Sequence, residues 1–150
     1  MSDKDNECKK DEEVLAEMYR NCQIGIQSIS DIICETDDEL IKKELAFEHE
    51  QYEQMSGKIA TIIKTYDSEV KEVGAFKKAM MKGSIKMNTL TDDSTSHIAQ
   101  MMIQGTVMGS ISLMATFSNS KNCLAPETLD LLKELIDLEE GFEKKLKEFL

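Results

Sequence analysis

Two carboxylates stand where apolar side chains are expected. Glu48 interrupts a stripe of Ile41, Leu45, Tyr52, Met55, Ile59, Ile62 and Tyr66, and Glu139 interrupts one of Leu132, Leu135, Phe142, Leu146 and Phe149. A carboxylate on a buried seam is costly unless it is hydrogen-bonded, protonated or bound to a metal. Two of them in one layer of a helical bundle suggest a metal site. A second reading is that the stripe drifts, because 3.6 residues per turn does not match a 3.5-residue repeat, and either Glu then sits at a seam edge in water.

Position along the chain places further polar groups near the same layer: Cys22, Gln51, Tyr52, Gln104 and Thr106. Cys22, Gln51 and Gln104 are the possible neighbours of Glu48 and Glu139 in a metal site. A hydrogen-bonded core network accounts for the same residues without catalysis. No catalytic residue is assigned. His97 falls at the start of its helix, two turns from the layer, and reads as a capping or surface residue. His49 follows Glu48 and points about 100° away on a helix, so the two do not head one metal. The sequence has no Ser/His/Asp arrangement, Gly-rich phosphate loop or HExxH. Cys22 has no base in view and reads as an inert, buried thiol.

Four helices are needed to position these groups. The first runs from about Asp11 to Cys34, with Leu15, Tyr19, Cys22, Ile26, Ile29 and Ile33 on one face and Glu13, Glu17 and Arg20 opposite. The turn Glu35–Asp38 offers N-cap oxygens to a second helix running to about Tyr66, and its shortness makes the two antiparallel neighbours. Residues 67–91, broken at Gly74 and Gly83 with two helical turns over Ala75–Lys82, form a long connection. The third helix starts at Asp92-Asp93-Ser94 and ends near Phe117, and the fourth starts at Pro126 and runs to the C-terminus. Residues 1–10 read as a solvated tail and 11–150 as the bundle.

The third helix dominates the chain. Ser94–Ser120 is a run of 27 residues without Asp, Glu, Lys or Arg, whereas those four make up 31% of the protein. It is long enough for a membrane span. Gln100, Gln104 and six Ser or Thr between Thr106 and Ser120 oppose that reading, as does the lack of basic or aromatic anchors. The favoured reading is a helix buried on most sides that also joins subunits, with Ile103, Val107 and Met114 facing outward. A homodimer or larger homo-oligomer through this helix follows. Gly105–Gly109 is a GxxxG, which outside a membrane signals tight packing at most.

The net charge of −11 and pI of about 4.7 make this an acidic protein that repels nucleic acid and anionic membrane surfaces, so neither is an expected partner. Cys8, Cys22, Cys34 and Cys123 form no CxxC. With no apolar leader at the N-terminus, the expectation is a cytoplasmic protein with reduced thiols. A crossover between helices 2 and 3 puts Cys123 beside the start of helix 1, and an up-down-up-down order puts it near Cys34.

Two helices with a short turn, a long crossover and two more helices around a polar layer resemble the ferritin-like superfamily. Over Leu15–Leu150 the chain looks most like its small bacterial domains of unknown function. The resemblance implies an all-α, antiparallel four-helix bundle. Di-iron members of that superfamily take a Glu from helices 1 and 3 and Glu-x-x-His from helices 2 and 4. Here Gln51 stands for the first His and Phe142 for the second, Cys22 or Gln23 stands on helix 1, and Gln104 or Thr106 on helix 3. Two of six ligands remain. The function expected is therefore a non-enzymatic structural or interaction protein with no cofactor. The alternative is an iron- or manganese-binding oxidoreductase-type protein using Glu48 and Glu139. A further idea is an apolar ligand held among the methionines, seven of which lie between Met80 and Met114.

Overall fold

The computed structural model describes residues 8–66 and 92–150, and these form four α-helices with no strand among them. They are α1 (Asp11–Ile32), α2 (Glu39–Thr65), α3 (Thr95–Ser120) and α4 (Pro126–Leu146). α1 closes in a single 3₁₀ turn over Ile33–Glu35 and α4 in another over Lys147–Phe149. The partial helix expected at Ala75–Lys82, and residues 1–7 of the expected tail, lie outside the described residues.

The helix starts follow their capping chemistry. Asp38 caps α2, its Oδ1 accepting the backbone N–H groups of Leu40 at 2.9 Å and Ile41 at 3.4 Å. Ser94 caps α3 through the N–H of His97 at 3.3 Å. α4 opens on Pro126, whose missing N–H costs nothing in the first turn. α1 lacks an N-cap hydroxyl, and the Glu13 carboxylate instead accepts the Lys10 N–H at 3.1 Å.

Side chains at the helix ends join the elements. Asp38 Oδ2 accepts the Thr95 hydroxyl at 2.7 Å, tying the start of α2 to the start of α3. Asp11, at the start of α1, accepts from Thr128 Oγ1 at 2.6 Å and Tyr66 Oη at 3.2 Å, near the start of α4 and the end of α2. The Lys9 N–H donates to Ser120 Oγ, at the end of α3, at 3.0 Å. Tyr66 and Asp92 therefore lie toward opposite ends of the molecule. α1 packs chiefly on α2, and α3 on α4.

The core is aliphatic, built on Leu15, Met18, Ile29, Ile41, Leu45, Ile59, Ile98, Leu113, Leu132 and Leu135. The α2 stripe lies inside from Ile41 through Ile62, Glu48 included, and only Tyr66 emerges. Several expectations need correction. α3 continues to Ser120, three residues beyond Phe117. Residues 8–10 are not a free tail, since Lys9 is bonded to α3 and Cys8 is in a disulfide with Cys123. Reduced thiols are therefore found only at Cys22 and Cys34, and Cys123 lies beside the start of α1. Glu17 does not face solvent opposite the core, because it accepts the Thr116 hydroxyl of α3 at 2.9 Å.

The last correction concerns α3 itself. By length and composition it could cross a membrane, with a mean hydropathy of 1.3 over its most apolar window, yet only 33% of that window is buried in the bundle. Its inner face carries Ile98, Met102 and Leu113, interleaved with the hydroxyls of Thr106, Ser110, Thr116 and Ser120. Its outer face carries Met108, 73% exposed, and Ile111, 57% exposed. Met114 faces outward as expected, whereas Ile103 and Val107 are half-buried. The hydroxyls can lie inward because Thr106 and Ser110 return their protons to the carbonyls of Met102 and Val107 in their own helix.

Candidate polar core site

Glu139 and Glu48 are both inside, at 2% and 1% exposure. Glu139 projects from the middle of α4 into a ring of donors. Tyr52 of α2 donates its phenol to Glu139 Oε2 at 2.8 Å, and Asn21 of α1 donates Nδ2–H to the same oxygen at 2.6 Å. Tyr52 is held by an edge-to-face contact with Phe142 of α4, ring centres 5.2 Å apart. Gly25 of α1 admits the Tyr52 ring, since a Cβ there would lie 2.6 Å from it. Gly109 of α3 does the same for Asn21, whose Oδ1 would lie 2.6 Å from an added Cβ. Asn21 of α1, Tyr52 of α2 and Gly109 of α3 thus close around Glu139 from the three other helices.

Glu139 Oε1 has no partner among the described residues. Burial pushes the carboxyl up to about 7, and the hydrogen bonds from Tyr52 and Asn21 hold it back from rising further. Glu48 is surrounded differently. Its neighbour is another acid, Glu44, one helical turn earlier, and its Oε2 has no partner among the described residues. Burial, then the Glu44 hydrogen bond and charge, push the Glu48 carboxyl far up, so it is protonated at neutral pH.

The remaining groups are poor nucleophiles. Burial and the nearby Glu139 charge push the Cys22 thiol up to about 12, against a weaker opposing hydrogen bond with Ser56. The Tyr52 phenol is raised well above its ordinary value by burial first, then by Glu139. Gln23 completes the rim by donating to Ser56 Oγ at 3.3 Å. The layer stores protons and offers neither a thiolate nor a phenolate at neutral pH.

The sequence-predicted neighbours divide. Cys22 and Tyr52 are in the layer with Glu139. Gln51 is half-buried, and Gln104 is exposed on the outer face of α3. Thr106 is buried but bonds its own helix. The α3 residue at the Glu139 level is Gly109, five positions after Gln104, because α3 has no charged side to mark its rotation. Asn21, Ser56 and Gly109 were not anticipated. The one available signal was that Asn21 and Cys22 adjoin on α1, so either could face the layer. His49 lies outside, with Nδ1 3.4 Å from Glu53 and Nε2 3.3 Å from the Ser30 hydroxyl. His97 Nδ1 is 4.0 Å from Asp92.

A metal fits this donor set badly. Among the described residues no three His, Cys, Asp or Glu side chains converge as ligands. Glu139 Oε2 already accepts two hydrogen bonds. Iron and manganese need several anionic or imidazole donors in open geometry. Compared with known proteins, the chain matches no protein family, no curated protein and no solved structure.

Proposed function

We propose that this protein is a ferritin-like four-helix bundle without a complete metal centre, and that it works as an interaction protein, associating with a second copy of itself through the outer face of α3. The ferritin-like reading is supported by the helix ends: α2 and α3 start together at the Asp38–Thr95 bond, while the starts of α1 and α4 meet at Asp11. That is the order of two hairpins joined by a crossover.

The association reading rests on one observation. Met108 and Ile111 point outward from a helix whose inner side is interrupted by four buried hydroxyl residues. A soluble helix ordinarily has the reverse distribution. The chain carries −11, so most faces repel a second copy, but α3 has no charged residue from Ser94 to Ser120. Gln104, Ser112 and Ala115 share the exposed side with Met108 and Ile111 and add no charge. Two such faces bury apolar surface without burying an ion.

Analytical ultracentrifugation of the full chain tests this. A concentration-dependent dimer or larger oligomer is expected, and a Met108→Glu/Ile111→Glu variant is expected to sediment as a monomer with unchanged helix content. A wild-type protein that remains monomeric at every concentration rejects the proposal. So does a monomer that partitions onto neutral phosphatidylcholine vesicles through α3. Metal analysis tests the non-enzymatic part: stoichiometric iron, manganese or zinc that disappears in Glu48→Ala would reinstate the metal-binding alternative.

A further inference from the structure

A cleft of about 500 Å³ opens between α1 and α3, lined by Lys9, Glu13, Ala16, Glu17, Arg20 and Ser112. It is open to solvent over much of its extent. Arg20 is the only arginine in the chain and is half-buried. Two glutamates share its cleft, yet both are engaged elsewhere. Glu13 accepts the Lys10 backbone N–H at 3.1 Å. Glu17 accepts from Lys9 Nζ at 2.8 Å, from Thr116 Oγ1 at 2.9 Å and from Ser112 Oγ at 3.4 Å. No hydrogen bond or ion pair among the described residues engages Arg20.

A guanidinium presents five N–H donors in a rigid plane and is always charged. Half-withdrawn from water and left without an acceptor, it is poised to take one from outside. We propose that this cleft binds a small organic monocarboxylate, held by a two-pronged pair with Arg20. A planar carboxylate matches the guanidinium fork. The two glutamates in the wall disfavour a doubly charged phosphate more than a single negative charge. Ala16 supplies an apolar wall for the carbon chain. Lys9, fixed by its own backbone bond to Ser120 and by the adjacent Cys8–Cys123 disulfide, neutralises Glu17 and keeps that carboxylate from competing for Arg20. Every lining group belongs to one chain, so the site is complete in a monomer. Because Ser112 also borders the proposed association face of α3, the titration is run at a protein concentration where sedimentation shows the monomer.

The test uses the oxidised full chain titrated with butyrate, followed by ¹H–¹⁵N spectra at the Arg20 Nε–H and the Ala16 and Ser112 amides. Saturable shifts are expected with butyrate and none with 1-butanol. Arg20→Gln should weaken binding by about tenfold or more, as loss of charge-assisted hydrogen bonds does. Arg20→Lys should fall between, because an ammonium keeps the charge but not the fork. Ser112→Tyr, at an exposed position that leaves the core untouched, should abolish binding by filling the cleft. Shifts that grow without saturation, tighter saturation by inorganic phosphate at matched ionic strength, or butyrate binding unchanged in Arg20→Gln or Ser112→Tyr would each overturn the proposal.

Discussion

Glu139 and Glu48 break the same rule and are accommodated in opposite ways. Each occupies a seam position between apolar neighbours, and each is almost fully buried. Around Glu139 the other helices contribute donors, Tyr52 and Asn21, and a glycine. Around Glu48 the nearest titrating group is a second acid on the same helix. One site is a hydrogen-bonded junction between helices, and the other is a carboxyl kept neutral by its surroundings. A polar residue on an apolar stripe therefore has no single meaning, and its partners across the bundle decide which kind it is.

The largest expected effect comes from removing the group that senses both. Tyr52 donates to Glu139 and lies close enough to both carboxyls that ionisation of either pushes its phenol up. Tyr52→Ala loses a buried ring in contact with Phe142 and leaves Glu139 with one donor. Urea unfolding should show a loss of about 3–5 kcal/mol, the range for deleting a large buried aromatic. Tyr52→Phe keeps the ring and should cost only about 1–3 kcal/mol, for the hydrogen bond alone. If Tyr52→Phe costs nothing, Glu139 is not held by the phenol.

Proton linkage gives the next effect. The folded Glu139 carboxyl titrates at about 7, against about 4.3 in an unfolded chain. Between those values the folded state holds the proton that the unfolded state has lost. The stability linked to it is fully present below pH ~4.3, declines as pH rises toward 7 and is gone above that. The expected loss is about 4 kcal/mol across that window. Glu48 acts in the same direction and extends the loss to higher pH. Denaturation midpoints at pH 5 and pH 8 measure the sum, and Glu139→Gln should flatten the lower part of the slope.

The contrast itself is tested by one substitution made at two places. Glu139→Leu strands the Tyr52 phenol and the Asn21 amide, and should cost about 2 kcal/mol. Glu48→Leu strands no donor, removes a buried acid and relieves Glu44, so it should gain about 1 kcal/mol. The gain should grow above neutral pH, where ionisation of Glu48 is resisted most. Equal and unfavourable effects at the two positions would show that Glu48 has a donor as well.

Much of this was legible in the chain, and unevenly. α2 carries its charges on one side and its apolar residues on the other, so its inward row, Glu48 included, could be read from spacing. α4 was readable for the same reason. α3 has no charges to oppose its apolar residues, and two of its buried hydroxyls, Thr106 and Ser110, satisfy themselves on carbonyls of their own helix, so nothing in its sequence marks which side faces in. Gln104 was placed in the core layer on that account, and Gly109 was missed. Asn21 was missed because α1 spacing points to Cys22, and a side chain one position away reaches the same layer from the edge of the face. The Cys8–Cys123 disulfide joins residues 115 positions apart, and only the meeting of the α1 start with the α3–α4 turn brings them together.

The smallest effects separate the outer face of α3 from the rest of the surface. A Cβ at Gly57, Gly105 or Gly141 would meet nothing within 4 Å among the described residues. All three glycines lie inside helices, where Ala is favoured over Gly by about 0.5–1 kcal/mol. Gly57→Ala and Gly141→Ala should therefore raise the urea midpoint slightly and leave sedimentation unchanged. Gly105→Ala shares the intrinsic helix gain, but Gly105 lies on the outer side of α3 with Met108 and Ser112, where a close-packed second copy leaves less room. Its gain should be present at low protein concentration and shrink as concentration rises, because the added methyl weakens the associated state that wild type populates. Three equal gains at every concentration would place the contact between copies away from Gly105, and would narrow the association surface to the Met108–Ile111 side of the helix.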